Sequence, residues 1–532
     1  MRHPIAWVIL VALVAGCAGL VWELQEMEVV RRAWAVLLAE PAMGSVWILS
    51  IWVAVASTCL SVIAARTLAA WLWRRPNREW ISILLAVPHG AVALGLLWLM
   101  APSGLLMRWL AIPLDVLSPP DWAFPQDTWG IGLILALTVK EALFLTVMAF
   151  AVLARLPFQS QALHAASLGW SADRFFLQSL WPQILPRLSA PILVVLAFGL
   201  TNLELTVIMS PDIPGMIGPR LYALFTDADP IRRAAGALGS LLLFLVTLVL
   251  SGLCLGMLQG FAQTQGRRLE HRAPSMGWFR GLKAMLCFGG LIWILIGVVL
   301  ALWAVAGSWS FQMALPVFDW DRLPQRMLRM QAATLDTLRV GVMTAICAVV
   351  GAIWVLEGMA RRYESTPSLF WWGLLWMPAL PLSAGLLSVW LILGGQPGFW
   401  AVLFAHWLIA CPYALIVLAG PWLARSVWER QVLQMSGIND WTALRRVWIP
   451  KHRSAILLAF AVAFSVSCAL YTQTLMLGGG RVETLATELV VTMQSDRRLA
   501  ALAGFANTLL PAALFGCAVW FGHRRRWNAR LS

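Results

Sequence analysis

The sequence predicts an all-α polytopic membrane protein of about twelve spans, built as two parallel six-span repeats. Three observations carry that expectation. Of 532 residues, 60% are hydrophobic and only 12% charged, with a mean hydropathy of +0.77, more apolar surface than a water-soluble core can hide. Apolar runs of roughly 20 residues, the length needed to cross a bilayer about 30 Å thick, recur along the chain. A polar stretch with one fixed Gly-to-Pro spacing occurs twice, with Gly169 and Pro182 in the first copy and Gly437 and Pro450 in the second.

The expected spans are 5–22, 45–73, 80–101, 129–153, 187–210, 234–262, 284–306, 338–360, 368–394, 400–423, 453–475 and 498–521. The first has no clear small-residue cleavage site and further spans follow it, so it is read as a helix rather than a signal peptide. The polar, basic segment 263–283, QTQGRRLEHRAPSMGWFRGLK, separates a first transmembrane domain, 1–262, from a second, 284–532. Each half holds an even number of spans, so both share one orientation and the repeat is parallel. LLAVPHGAVALGLLWL in the third span and LWMPALPLSAGLLSVWL in the ninth echo each other, both with Pro before a run of small residues. An ancestral duplication is the economical explanation.

The formal charge of +14 does not require a polyanion. With both termini inside, about 24 Lys and Arg fall on inner segments, among them ARR at 360–362 and GHRRR at 522–526, against about 11 outside. Positive-inside placement accounts for the charge, and nucleic acid is not expected as a partner. All eight cysteines fall within expected spans and are read as small apolar packing residues. Several of the 32 Trp stand near span ends, where an indole faces headgroups with its N–H wet.

The two polar stretches, 161–186 and 431–453, fall between the fourth and fifth spans of each half, on the expected inner face. In the first, Leu168, Ala172, Phe175, Phe176 and Ser179 follow three- and four-residue steps, leaving Asp173, Arg174 and Gln178 on the other face. Such a helix lies along the membrane surface or in a partner's groove. Gly169 permits a turn that a side chain would obstruct, and Pro182 is expected to stop the helix before the chain re-enters the bilayer. The second copy repeats the plan with Gly437, Trp441, Leu444, Arg445, Arg446 and Pro450. Resting on lipid gives no reason for the same spacing twice, whereas docking onto a repeated partner does.

These stretches resemble the cytoplasmic signature of the permease subunits of type I binding-protein-dependent ABC importers: EAA, three residues, Gly, nine residues, an apolar residue, a variable residue, Leu and Pro. LHAASLG (with Ala165, Ala166 and Gly169) and QVLQMSG match its first part, LWP and WIP its end. The chain is most similar to fused permeases of the thiamine and ferric-iron type, through VPHGAVALGLLWLMAPSG, TVKEALF, AHWLIACPYALIVLAGPW and GGGRVETLATE. Leu163 and Gln431 depart from the signature, standing where it has Glu. The resemblance implies the type I permease fold and an ABC ATPase homodimer docked on the cytoplasmic side, which holds the ATP and Mg. It also implies a periplasmic binding protein on the outer side and a place in the bacterial inner membrane.

The chain itself carries no ATPase signature. Its three lysines, Lys140, Lys283 and Lys451, stand in VKE, LKA and PKH, none of them a P-loop. No catalytic constellation or metal-binding Cys/His cluster is present in the sequence, and the chain needs no cofactor of its own. Ionisable groups inside spans are functional candidates by default: His89, Lys140, Glu141 and Glu204. Lys140 and Glu141 diverge by about 100° on a helix, so each is expected to pair with other helices or to line the substrate path. Glu204 is either a cation-attracting group or structural, and His89 either a packing histidine or part of the path. Pro88, Pro378 and Pro381 are expected to kink their helices and free backbone carbonyls. A gradient-driven secondary transporter with parallel repeats is the alternative reading, and a membrane-embedded enzyme a weaker one.

Overall fold

The protein is described from a computed structural model covering residues 14, 16–75, 81–211, 213–265, 276–362 and 370–531. Most of the first expected span and residues 266–275 of the expected linker lie outside the described residues. Within those described, the chain is helical, and the only β pairing is one isolated bridge between Ala306 and Phe318. The helices that matter here are α1 (Met43–Leu72), α2 (His89–Met100), α3 (Ile131–Leu153), α4 (Phe158–Ser167), α5 (Ser189–Thr201), α6 (Leu203–Met209), α7 (Pro230–Gln265) and α8 (Met276–Ala304). They continue with α9 (Gln331–Arg361), α10 (Ala379–Ile392), α11 (Phe399–Leu423), α12 (Val427–Met435), α13 (Arg453–Cys468), α14 (Tyr471–Gly478) and α15 (Arg497–Leu531).

Among the described residues, eight helical segments are long and apolar enough to cross a membrane, or nine if Asp440–Lys451 and Arg453–Cys468, bent by 80°, count as one span. Gly290–Ala304 and Ala379–Ile392 are shorter apolar helices. Four of the expected spans are not among the eight: the first lies mostly outside the described residues, the seventh and ninth correspond to the two shorter helices, and the eleventh is the bent pair. The third expected span is two pieces, Ile81–Leu85 and α2, parted at Pro88; the ninth is Phe370–Trp376 and α10, parted at Pro378. Both prolines adopt extended ψ values, 150° and 132°, and neither can donate the N–H that would join the pieces. Pro381 is accommodated inside the first turn of α10, without a second break. The fifth span breaks between α5 and α6 at Asn202, whose Oδ1 caps the new helix by accepting from Leu205 N at 2.6 Å. The eleventh breaks between α13 and α14 at Ala469 and Leu470.

The breaks obey two offsets. Pro88 and Pro378 are 290 positions apart, and Asn202 and Leu470 are 268 apart. Packing repeats as well: α1 lies against α3 and α5, and α9 lies against α11 and α13. Each half also receives a helix from the other. Helical residues 16–22 cross α10, and α8 crosses α2. At the crossings stand Gly385 and Gly95, again 290 positions apart. A Cβ on Gly385 would overlap the Gly16 carbonyl, and one on Gly95 would come 2.5 Å from Ile296 Cγ2. Small residues are what let helices in a bilayer approach this closely. The two largest hydrophobic clusters each take residues from both halves, so the halves share one core.

Candidate functional site

The two polar stretches fold alike from the glycine turn through the π-helical turn that follows. In the first, α4 ends in a Schellman turn: Gly169 N donates to Ala166 O and Trp170 N to Ala165 O, both at 3.0 Å. In the second, α12 ends with Gly437 N donating to Gln434 O at 3.0 Å and Ile438 N to Leu433 O at 3.1 Å. Gly169 and Gly437 take φ values of +72° and +70°, and a Cβ on either would meet open space. Backbone conformation, not crowding, therefore requires glycine here. The next helix is capped by Ser171 Oγ, which accepts from Arg174 N at 3.2 Å, or by Asn439 Oδ1, which accepts from Thr442 N at 2.8 Å. A π-helical turn follows in each copy, Phe176–Leu180 and Leu444–Trp448.

Two details differ from the sequence expectation. Pro182 does not end the helix: it sits in the first turn of Trp181–Ile184, and helical backbone runs on from Ala172 to Thr201. The π turn before it leaves room for a residue without an N–H. After Pro450 the chain does turn, by 80°. Leu168, placed by periodicity on the buried face with Phe175 and Phe176, is exposed, because the Schellman turn directs it away from the helix that follows.

Of the predicted residues, Ala165 is buried, Asp173 and Pro182 are half-buried, and Ala166, Gly169, Arg174, Gly437, Trp441, Arg445, Arg446 and Pro450 are exposed. Arg174 lies over the Trp170 ring at 4.6 Å and donates to Gln178 Oε1 at 3.0 Å. Leu163, Leu168, Trp428, Met435 and Trp441 are between 69% and 85% exposed, so each stretch presents large apolar side chains.

His89, Lys140, Glu141 and Glu204 are brought together around one cavity of about 310 Å³ lined by both halves. Its wall is built from repeat-related positions: Glu141 with Ile409, Met148 with Ile416, Val194 with Val462, Phe198 with Val466 and Glu204 with Thr472, each pair 268 apart. Leu85 with Leu375, Val87 with Met377 and His89 with Ala379 are each 290 apart. The halves thus offer matching shape and unlike chemistry, the ionisable groups standing on the first.

Each charge has a distinct surrounding. Lys140 Nζ donates to Leu85 O at 2.6 Å and also to Val87 O. These carbonyls are released by the Pro88 break, and the ammonium meets the negative end of the short Ile81–Leu85 helix. Glu141 faces away and accepts from His89 Nε2 at 3.0 Å, while the His89 ring lies tilted against Phe198, with centroids 4.4 Å apart. Glu204 opens α6 beside the Asn202 break and packs on the Gly90 backbone; its Oε1 makes no hydrogen bond among the described residues. Phe144, Phe198, Tyr413, Tyr471 and Phe515 supply aromatic wall. A different histidine, His406, is satisfied inside the fold by Ser467 Oγ at 2.8 Å and Thr474 Oγ1 at 3.0 Å. No group of His, Cys, Asp and Glu among the described residues could hold a metal ion.

Sequence reasoning passed over Glu357. It lies at the end of α9 that faces the second polar stretch and accepts from Arg425 Nη2 and Arg430 Nη2, both at 2.8 Å. A lone buried acid just before the basic ARR run was the available signal.

No protein-family model matches the chain. An inner membrane ABC transporter permease protein, YnjC of Escherichia coli (strain K12), is 29% identical over 513 residues, covering 93% of this chain and 92% of that protein. The chain is a homologue of ABC transporter permeases. This permease homologue is also 26% identical over 460 residues to the thiamine transport system permease protein ThiP of Salmonella typhimurium (strain LT2), covering 82% of this chain and 81% of that one. Over a shorter stretch of 140 residues it is 24% identical to the spermidine/putrescine transport system permease protein PotC of Escherichia coli (strain K12), covering 25% of this chain and 52% of that one.

Proposed function

We propose that this chain is the membrane-spanning permease subunit of an ATP-driven importer in a bacterial inner membrane, carrying a small cationic solute through the cavity between its halves. The observation that carries the reading is the paired construction of the Gly169 and Gly437 stretches. Two copies of one docking element fit a partner that itself comes in two copies. That partner is an ABC ATPase homodimer, which binds ATP and Mg; a periplasmic binding protein delivers the solute on the opposite face. Segments 1–262 and 284–532 are the two transmembrane domains, joined through 263–283, with both termini cytoplasmic.

In this mechanism the permease holds two states and the ATPase biases them. ATP-driven closure moves the two stretches, and the breaks at Pro88, Asn202, Pro378 and Leu470 let the cavity wall turn with them. The cation assignment rests on Glu204, a buried acid among the residues lining an aromatic-walled cavity. Thiamine and spermidine/putrescine, in the names of two relatives, are of the same charge class. A gradient-driven transporter would use the buried charges equally well, yet gives no reason for the paired stretches.

Mass spectrometry of what co-purifies with the tagged chain from its native membrane tests the proposal. An ATPase present with the parent and lost from a Gly169→Arg, Gly437→Arg double variant supports it. If gentle crosslinking captures no ATPase with the parent, the importer reading is overturned in favour of the gradient-driven one.

A further inference from the structure

The two coupling stretches share a backbone but differ in the contacts that fasten them to the membrane helices. In the first copy these contacts include aromatic packing and a neutral hydrogen bond. Phe175 and Phe176 are buried against Trp73, with ring centroids 6.2 Å and 5.7 Å away. Gln183 Nε2 donates to Gln161 Oε1 at 3.0 Å, joining the segments on either side of the Gly169 turn. At the positions 268 further on stand Lys451 and Glu429, paired at 2.7 Å: the same brace, now an ion pair.

Glu357 stands at the centre of the second fastening. Its carboxylate is buried at the end of α9, with 7% exposure. Arg425, just past α11, donates to it at 2.8 Å and lies over the Trp422 and Trp448 rings at 4.9 Å and 4.7 Å. Arg430 on α12 donates to Glu357 Oε1 at 2.8 Å and to Ala360 O at 2.7 Å. Arg361, one turn beyond Glu357, reaches Asp440 on the other side of Gly437 at 3.2 Å. Both arms of the second stretch are thereby tied to one end of α9. The first copy has Pro157, Ala162 and Ala172 where the second has Arg425, Arg430 and Asp440, so it cannot form this network.

We infer that Glu357 is a positioning residue for coupling: through Arg430 and Arg361 it holds the second stretch in fixed orientation to α9 and α11, so that this half transmits the ATPase movement as a rigid lever. Arginines that each bond both this carboxylate and a backbone carbonyl fix direction as well as distance, which apolar packing does far less. This inference rests on the importer reading proposed above.

The test uses the complex co-purified from its native membrane, with Thr472→Cys placed in the cavity wall and its maleimide labelling measured with and without ATP and vanadate; the parent chain gives the background. In the parent complex trapping should change labelling by about tenfold, the scale of an ordinary coupling free energy. The Arg361→Gln, Arg430→Gln variant keeps the buried Glu357–Arg425 pair and so should fold. It should retain ATPase and hydrolyse ATP, while its labelling ratio falls to near one. Arg430→Lys should recover part of the ratio, and Gln161→Ala, Gln183→Ala should keep it. A parent-like ratio in the double arginine variant, or equal loss in the double glutamine variant, overturns the inference. If the parent binds no ATPase, the importer reading fails and takes the inference with it.

Discussion

Gly90 lies against Glu204 so closely that a Cβ on Gly90 would overlap the Glu204 carboxylate. The two residues come from different broken spans, α2 and α6, so their contact reports how the breaks assemble the cavity. Glu204→Gln should raise the half-saturating concentration for cation uptake by about tenfold, the worth of one hydrogen bond to a charged group. Gly90→Ala should reproduce that shift by displacing the carboxylate. Uptake curves for both variants check the pair, and an unaltered curve for Glu204→Gln returns Glu204 to a structural role.

Replacements at Gly169 and Gly437 should follow backbone preference rather than side-chain volume, because the space around both is open. Asn enters the left-handed region readily, whereas a β-branched residue is strained there by about 1–2 kcal/mol. Gly437→Asn should therefore retain most uptake and Gly437→Val lose it, with equal membrane insertion. Transport assays beside membrane-fraction blots distinguish the two.

Lys140 satisfies carbonyls that the Pro88 break leaves open. Lys140→Met keeps much of the volume and removes the donors, and should cost about 1–3 kcal/mol for buried groups left unpaired. A lowered unfolding temperature of the purified chain in detergent is the expected outcome.

The two braces should respond differently to acid. The hydrogen bond from Lys451 holds the Glu429 carboxyl below its ordinary range. A depressed folded-state value stabilises the fold above the ordinary carboxylate range, and that contribution is lost as pH falls through the lowered value. Amide exchange of the second stretch, corrected for intrinsic rate, should accelerate on acidification. Exchange around Gln161 and Gln183, which have no proton to gain in that range, should not.

The exposed apolar side chains on both stretches form the face offered to the ATPase in the proposed complex. Trp441→Glu should reduce ATPase co-purification by roughly tenfold or more, since a buried aromatic anchor is worth about 2 kcal/mol or more. Quantitative mass spectrometry of the tagged complex measures it.

Much of this was legible in the sequence because it is written in local chemistry. Apolar run length marks membrane helices, and Gly169 and Gly437 mark left-handed turns because few other residues adopt them. The Pro88 and Pro378 breaks were readable for the same reason. Asn202 was not: in LTNLELT nothing local tells a polar side chain that caps a following helix from one carried inside a continuous span. Leu168 was misplaced because periodicity was carried across a turn that resets it. The grouping of His89, Lys140, Glu141 and Glu204 around one cavity depends on contacts between distant spans, and no local window reports those. Glu357 was hidden likewise: Arg361 follows it on the same helix, but Arg425 and Arg430, which hold its carboxylate at 2.8 Å, come from beyond α11.

The cavity wall pairs Glu204 with Thr472 and Glu141 with Ile409. A permease assembled from two identical chains would have to place every acid twice, each facing its own twin across the symmetry axis, and like charges at close quarters resist ionising together. Joining the halves in one polypeptide removes that obligation. Each residue on the axis can then change alone, and a solitary carboxylate can greet a cargo molecule that itself has no twofold symmetry.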